Sequence, residues 1–320
     1  MISDLLDYDA PDASLWQGRK DSLPGERFFQ RINFIDLRSQ TLSPAQQDIA
    51  ILGFCSDAGI RRNEGRIGAK EGPLKLREQF AKLPCHTLKH LFDVGNIICN
   101  GDQLEVAQQQ LAKLVDYLQK KNFKTMVFGG GHEIAWGHFY GLTSKYPKLG
   151  IINFDAHFDL RPLIKENYGT SGTPFRQISQ YCIQNQLPFS YCCLGIQALG
   201  NTKSLFIAAD ELNVSYLTAE QMHTESIAWQ LAFLDSFLLS HDAIYLTICL
   251  DVFAECFAPG VSAPQPMGLT PWQALPLLKY ILQTGKVVSF DIAELSPPLD
   301  NEQKTTRLAA SLVAELLDYY

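Results

Sequence analysis

The sequence predicts an α/β protein built on a largely parallel sheet with helices on both faces. Short β-rich apolar runs recur along the chain, and longer amphipathic segments separate most of them. No Pro/Gly/Ser linker, internal repeat or low-complexity segment divides the 320 residues, which predicts one domain over 1–320.

Residues 1–45 hold no such alternation and read as a less regular N-terminal lead-in that wraps the core. Eight strand-like runs follow: IAILGF at 49–54, TLKHLFDV at 87–94, KTMVFGG at 124–130, GIINFD at 150–155, FSYCCLGI at 189–196, NVSYLT at 213–218, AIYLTICL at 243–250 and VVSFDI at 287–292. DQLEVAQQQLAKLVDYLQKK at 102–121, TAEQMHTESIAWQLAFLDSFLLS at 218–240 and TPWQALPLLKYILQTG at 270–285 have the apolar spacing of amphipathic helices. A roughly eight-stranded sheet results.

Composition narrows the function classes. With 46% hydrophobic and 19% charged residues the chain is ordinary for a globular protein. The N-terminus is acidic where a secretory signal is basic, and no apolar run approaches about 18 residues, so a cytoplasmic location is expected. The eight cysteines form no CxxC pair and fall in apolar segments, which predicts reduced buried thiols rather than a disulfide framework. A net charge of -7 without any Lys/Arg block argues against nucleic acid or anionic membranes as partners. Against that background two groups of arginines stand out: Arg61, Arg62 and Arg66 in one glycine-punctuated loop, and Arg161 and Arg176 further on.

Ligands of open parallel sheets bind beyond the carboxyl ends of the strands. Those positions hold His132 and Glu133 after the third run, Asp155, His157 and Asp159 after the fourth, Asp251 after the seventh and Glu294 after the eighth. In NFDAHFD the three ionisable residues alternate, so extended backbone turns them to one face, a costly arrangement unless a cation compensates. Carboxylates with imidazoles suit Mn²⁺ or another borderline divalent metal better than a thiolate-rich zinc site would.

FGGGHE adds an imidazole, its glycines allowing a tight turn that leaves His132 where a strand hands over to a helix. His138, six residues on, reads as a packing or surface histidine. The rival reading of GGGHE as a dinucleotide loop is weak, because Ile134 or Ala135 occupies the place of the third glycine.

GGGHE, DAHFD and the strand leading into DVFAECFAPG together resemble the ureohydrolase family of arginase, agmatinase and formimidoylglutamase, over nearly the whole chain. The resemblance implies a three-layer α/β/α, arginase-like fold and two Mn²⁺ per subunit. LWQGRKD, SDAGIRRNEGRIGAKEGP at 56–73, DAHFDLR at 155–161, TSGTPFRQI at 170–178, YCCLGIQALGNT at 191–202 and APGVSAP at 258–264 are most similar to the formimidoylglutamase branch. Arginase-like members typically carry a histidine where Ser171 stands. That branch implies hydrolysis of N-formimidoyl-L-glutamate to L-glutamate and formamide in histidine degradation, by a chain that is often part of a homo-oligomer. The alternatives are a hydrolase of another guanidino or amidino acid, or a metal-poor, non-catalytic protein of the same fold.

Carried over residue by residue, the resemblance assigns His132, Asp155, Asp159 and position 249 to one metal. Asp155, His157, position 249 and Asp251 go to the other, with a hydroxide between the two as nucleophile. It implies that Asp159 shuttles the proton and that Glu294 pairs with the cationic amidine. The substrate's two carboxylates need donors, and Arg61, Arg62, Arg161 and Arg176 are candidates because guanidinium forks match carboxylates, with Arg62 and Arg161 ranked first. Ser171 and Asn201 are candidate neutral contacts.

Position 249 departs from the family pattern, in which an aspartate bridges both metals; here it is Cys249. A thiolate offers one soft sulfur where a carboxylate offers two hard oxygens. Cys249 then acts as a thiolate ligand for a softer metal, leaves the site with one metal or weak occupancy, or marks a chain without catalysis. As a plain buried thiol it would weaken the site in the same way.

Overall fold

In the strand Ile49–Cys55 (β3), Ile49 and Ile51 pack into one apolar layer while Ala50, Leu52 and Phe54 pack into another. The same period of two separates Cys192 from Cys193 in Ser190–Ile196 (β7), so these neighbouring thiols face opposite layers. A sheet buried on both faces needs helices on both, and that is the architecture of this computed structural model, which describes residues 5–43, 48–165 and 168–320.

All eight predicted strands are present, the others being Leu91–Ile98 (β4), Lys124–Phe128 (β5), Leu149–Phe154 (β6), Ser215–Thr218 (β8), Ala243–Cys249 (β9) and Val287–Ala293 (β10). Two short strands from the lead-in, Tyr8–Asp9 (β1) and Ile32–Phe34 (β2), extend the sheet to ten. The order is β1-β4-β3-β5-β10-β9-β6-β7-β8, with β2 also on β4. Every pairing is parallel except β1 with β4.

The second predicted strand begins late: residues 87–90 are irregular, and the strand runs on past a register shift at Gly95 to pair again from Asn96 to Ile98. Gly95 has φ +84°, and a Cβ there would lie 2.2 Å from the Asp9 carbonyl oxygen, so this glycine admits the edge strand rather than ending its own. Beside it Asp93 receives the Arg77 guanidinium in a fork, Nε to Oδ2 at 2.8 Å and Nη2 to Oδ1 at 2.9 Å. Trp16 Nε1 donates to the same carboxylate at 2.8 Å, which ties the lead-in to the sheet. None of these three partners was marked by sequence spacing.

The segment expected as one helix over 218–240 is two, Ala219–Thr224 and Ile227–Leu239, because Glu225 is extended and Ser226 caps the second. Thr218 caps the first with a reciprocal bond to Gln221. Thr218→Ala is expected to lower stability by about 1 kcal/mol, read from the denaturation midpoint, with Thr218→Ser close to wild type.

The central strands position the site. Phe154, Ile248, Ile292 and Phe128 lie in one register row across β6, β9, β10 and β5. The residues just beyond that row therefore emerge together at one sheet edge.

Candidate metal centre

Beyond the row come Asp155, the residue after β6, and Cys249, the last of β9, with Ala293 paired to Cys249 and Glu294 next in the chain. The loop after β5 brings in His132. Asp159 and Glu294 have φ of +49° and +71°, left-handed conformations that cost non-glycine residues on the order of 1–3 kcal/mol and collect at functional sites.

The ligand-type atoms form two overlapping groups. His132, Asp155 and Cys249 each offer an atom within 4.8 Å of the others, and so do Asp155, His157 and Asp251. Asp155 is shared. His132 Nδ1 lies 2.9 Å from both Asp155 Oδ2 and Asp159 Oδ2. His157 Nδ1 lies 3.1 Å from Asp251 Oδ2 and 3.5 Å from Asp155 Oδ1. Cys249, which the family pattern would place on both metals, groups with His132 and Asp155 only.

The electrostatics call for a cation. Burial and the Asp155 charge push the Asp159 carboxyl up to about 6 against the opposing pull of His132 and His157, and burial with Asp155 also raises Asp251. Burial, then Asp251 and Glu133, drive Glu294 well above the carboxylate range. Burial opposes charge on Asp155 and on both imidazoles, yet their mutual bonds hold Asp155 well down and His132 and His157 well up. Burial and the surrounding carboxylates push the Cys249 thiol well up. Asp155, Asp159, Asp251 and Glu294 thus crowd around two imidazoles, and Glu294 Oε2 is buried without a hydrogen-bond partner among the described residues. Oxygen and imidazole donors in that excess fit divalent cations, beside which a coordinating thiol also ionises.

A cleft opens over this floor, walled by Asn63, Arg161, Ser171, Asn201 and Ser262. Arg161 is exposed, and among the described residues no carboxylate pairs with it. Arg62 is not in the wall: its side chain is 4% exposed, bound to Asp102 Oδ1 at 2.9 Å and Glu105 Oε1 at 2.6 Å and stacked on Tyr168. Its fork is saturated by the protein's own acids, so the expectation that it binds substrate is corrected. Arg61 donates to the Gly101 carbonyl, and Arg176 to the Leu160 carbonyl at 3.2 Å; neither lines the cleft.

Asn201 does line it, but its amide protons go to the Ala156 and Gln197 carbonyls, and its oxygen accepts the Phe158 N–H. It staples the DAHFD loop. Sequence reasoning missed Asn63, whose Nδ2 donates to Ser171 Oγ at 3.2 Å, and the use of Arg66, which pins the cleft loop through the Val261 and Ser262 carbonyls. Neither carried a motif signal beyond lying in the glycine-punctuated loop.

GGGHE has a steric cause. A Cβ on Gly130 would sit 1.8 Å from the Ser56 carbonyl oxygen, so the glycines let the turn cross the end of β3. Glu133 turns away from the cleft to accept from Ser56 Oγ and the Gly59 N–H. His138 is fully buried and bonded to Asp291, not a surface residue. Of the eight free cysteines Cys256 is exposed, Cys85 and Cys99 are partly so, and the rest are buried.

Residues 47–318 match the family model "Arginase family". The chain is 59% identical over 318 residues to a formimidoylglutamase of Legionella pneumophila strain Paris, covering 99% of each. It is 43% identical over 328 residues to a formimidoylglutamase of Clostridium tetani, covering 98% of this chain and 96% of that one. A crystal structure of Trypanosoma cruzi formiminoglutamase with Mn²⁺ superposes with a TM-score of 0.80 at 23% identity, covering 92% of this chain and 97% of that one. The ten-stranded layered fold, the ligand groups at its central strand ends and these matches lead to one conclusion: the chain belongs to the arginase family.

Proposed function

We propose that the protein hydrolyses N-formimidoyl-L-glutamate to formamide and L-glutamate at a centre of two divalent cations, Mn²⁺ by preference of its oxygen and imidazole donors. The observation that carries this is Asp155, shared by two ligand groups on the floor of a cleft whose wall presents an arginine that no carboxylate among the described residues pairs with. The names of the two curated relatives point to the same substrate. The reading places the enzyme in histidine degradation in the cytoplasm, acting on a small molecule as one domain and as a homo-oligomer.

His132, Asp155, Asp159 and Cys249 would hold one cation, and Asp155, His157 and Asp251 the other. When bound, the cations supply Lewis acidity that lowers the pKa of water far enough for it to serve as nucleophile near neutral pH. Water adds to the formimino carbon, the carbon–nitrogen bond to glutamate breaks, and the departing amine takes up a proton. Asp159, in the cleft and bonded to His132, accepts the water's proton and returns it to that amine. Glu294 is fixed by the His132 N–H at 3.0 Å on Oε1, leaving Oε2 to accept from the amidine N–H groups. Arg161 grips a carboxylate of the glutamate portion, with Asn63 and Ser171 beside it, and together they set the distance to the reacting carbon.

The test is formamide release by Mn²⁺-loaded protein offered formimidoylglutamate beside a panel of guanidino and amidino acids. Preference for a guanidino acid, or no turnover with any substrate, would overturn the reading. Arg161→Ala is expected to raise KM about 10- to 100-fold with a smaller change in kcat, the loss of a charge-assisted pair. Arg161→Lys recovers only part of that, because the planar fork is gone.

A further inference from the structure

Beneath the metal ligands a row of polar side chains runs through the interior of the sheet. Thr247 and Tyr245 of β9, Ser289 and Asp291 of β10, Thr125 of β5 and His138 of the helix Ile134–Leu142 are all 0% exposed. A carboxylate held there is costly unless hydrogen-bond donors compensate it. Asp291 meets that condition: Thr247 donates to Oδ1 at 2.6 Å, while Tyr245 OH and His138 Nδ1 donate to Oδ2. His138 is anchored in turn by Ser289 at its Nε2.

Proton counting gives this row a direction. A threonine hydroxyl has one proton, and Thr247 spends it on Asp291. Toward His132 Nε2, 3.0 Å away, Thr247 can then only accept, so Nε2 carries the ring proton. Nδ1, 2.9 Å from both Asp155 and Asp159, is then the nitrogen that would release its proton and offer its lone pair to a cation. We propose that Asp291, acting through Thr247, is a positioning residue that fixes His132 in the Nε2–H tautomer and presents Nδ1 to the cation, with His138 and Tyr245 holding Asp291 in place. The arrangement follows the general rule that a metal-binding histidine has its second nitrogen committed to an outer acceptor. This inference rests on the reading of His132 as a ligand, and it gives a role to four buried residues that the proposed chemistry leaves unused.

The test is Mn²⁺ titration of the metal-free full-length protein, followed calorimetrically and by electron paramagnetic resonance. The binding step that depends on His132 is identified with His132→Ala, and the one that depends on His157 with His157→Ala. Thr247→Val is expected to weaken the His132-dependent step about 10- to 100-fold and leave any His157-dependent step unchanged, with Thr247→Ser restoring wild-type affinity. Asp291→Asn, a near-isosteric change, is expected to weaken the same step, which keeps the relay testable should the valine variant not fold. Wild-type affinity at the His132-dependent step in Thr247→Val or Asp291→Asn, or an equal fall at both steps, would overturn the relay. A wild-type protein that takes up no Mn²⁺ would instead overturn the metal centre, and the relay with it.

Discussion

Asp155→Asn is expected to strip the protein of both divalent cations and to cut formamide release by at least about 10³-fold, the several kcal/mol that a Lewis acid contributes. Asp155 is the only residue common to the two ligand groups among the described residues, so its charge is lost from both at once. The variant keeps the side chain's size and can retain the acceptor bond from the His157 N–H, 2.7 Å in the wild type, so the fold is expected to survive. Metal analysis of the purified variant beside circular dichroism separates loss of metal from loss of structure. The contrast with His157→Ala, which touches one group, sharpens the result. Should Asp155→Asn keep both equivalents of Mn²⁺, the shared-carboxylate centre is the wrong description.

Cys249→Asp is expected to act in the opposite direction, tightening Mn²⁺ by about 100-fold and raising turnover at limiting metal. A unit charge about 4 Å from another gains about 4 kcal/mol at an effective dielectric of 20, and more against a dication; repulsion from nearby carboxylates takes back part of it. A net gain near 3 kcal/mol corresponds to about 100-fold. Cys249 is buried beside Asp155 and Asp251, its thiol pushed well up, so it is a poor partner for a hard cation until metal is bound. Metal content at graded Mn²⁺ and formamide release in both proteins are the measurements. No rise in either removes the idea of a weakened bridge. Tighter wild-type binding of Co²⁺ or Zn²⁺ than of Mn²⁺ would identify Cys249 as a working thiolate ligand.

The chemistry-bearing residues were legible because ligands of a parallel sheet gather at strand ends, and strand ends are read from local apolar runs. His132, Asp155, His157, Asp159, Asp251 and Glu294 were found that way and now meet at one edge. The arginines were not. Arg62 and Arg161 look alike in sequence, and only their neighbours distinguish them: Asp102 and Glu105, 40 and 43 positions away, claim Arg62 and leave Arg161 open. Helix boundaries failed where a cap interrupts a continuous apolar pattern, as Ser226 does.

By itself the sequence determined the layered parallel sheet, because period-two and helical patterns are local, and with them the residues that end each central strand. Tertiary structure alone decided that position 249 joins only one of the two ligand groups, that Arg161 in the cleft wall has no carboxylate partner among the described residues, and that His138 and Asp291 stand behind His132. Those outcomes depend on distances between residues far apart in the chain and on which charges neutralise one another once buried, and no spacing along the chain encodes them.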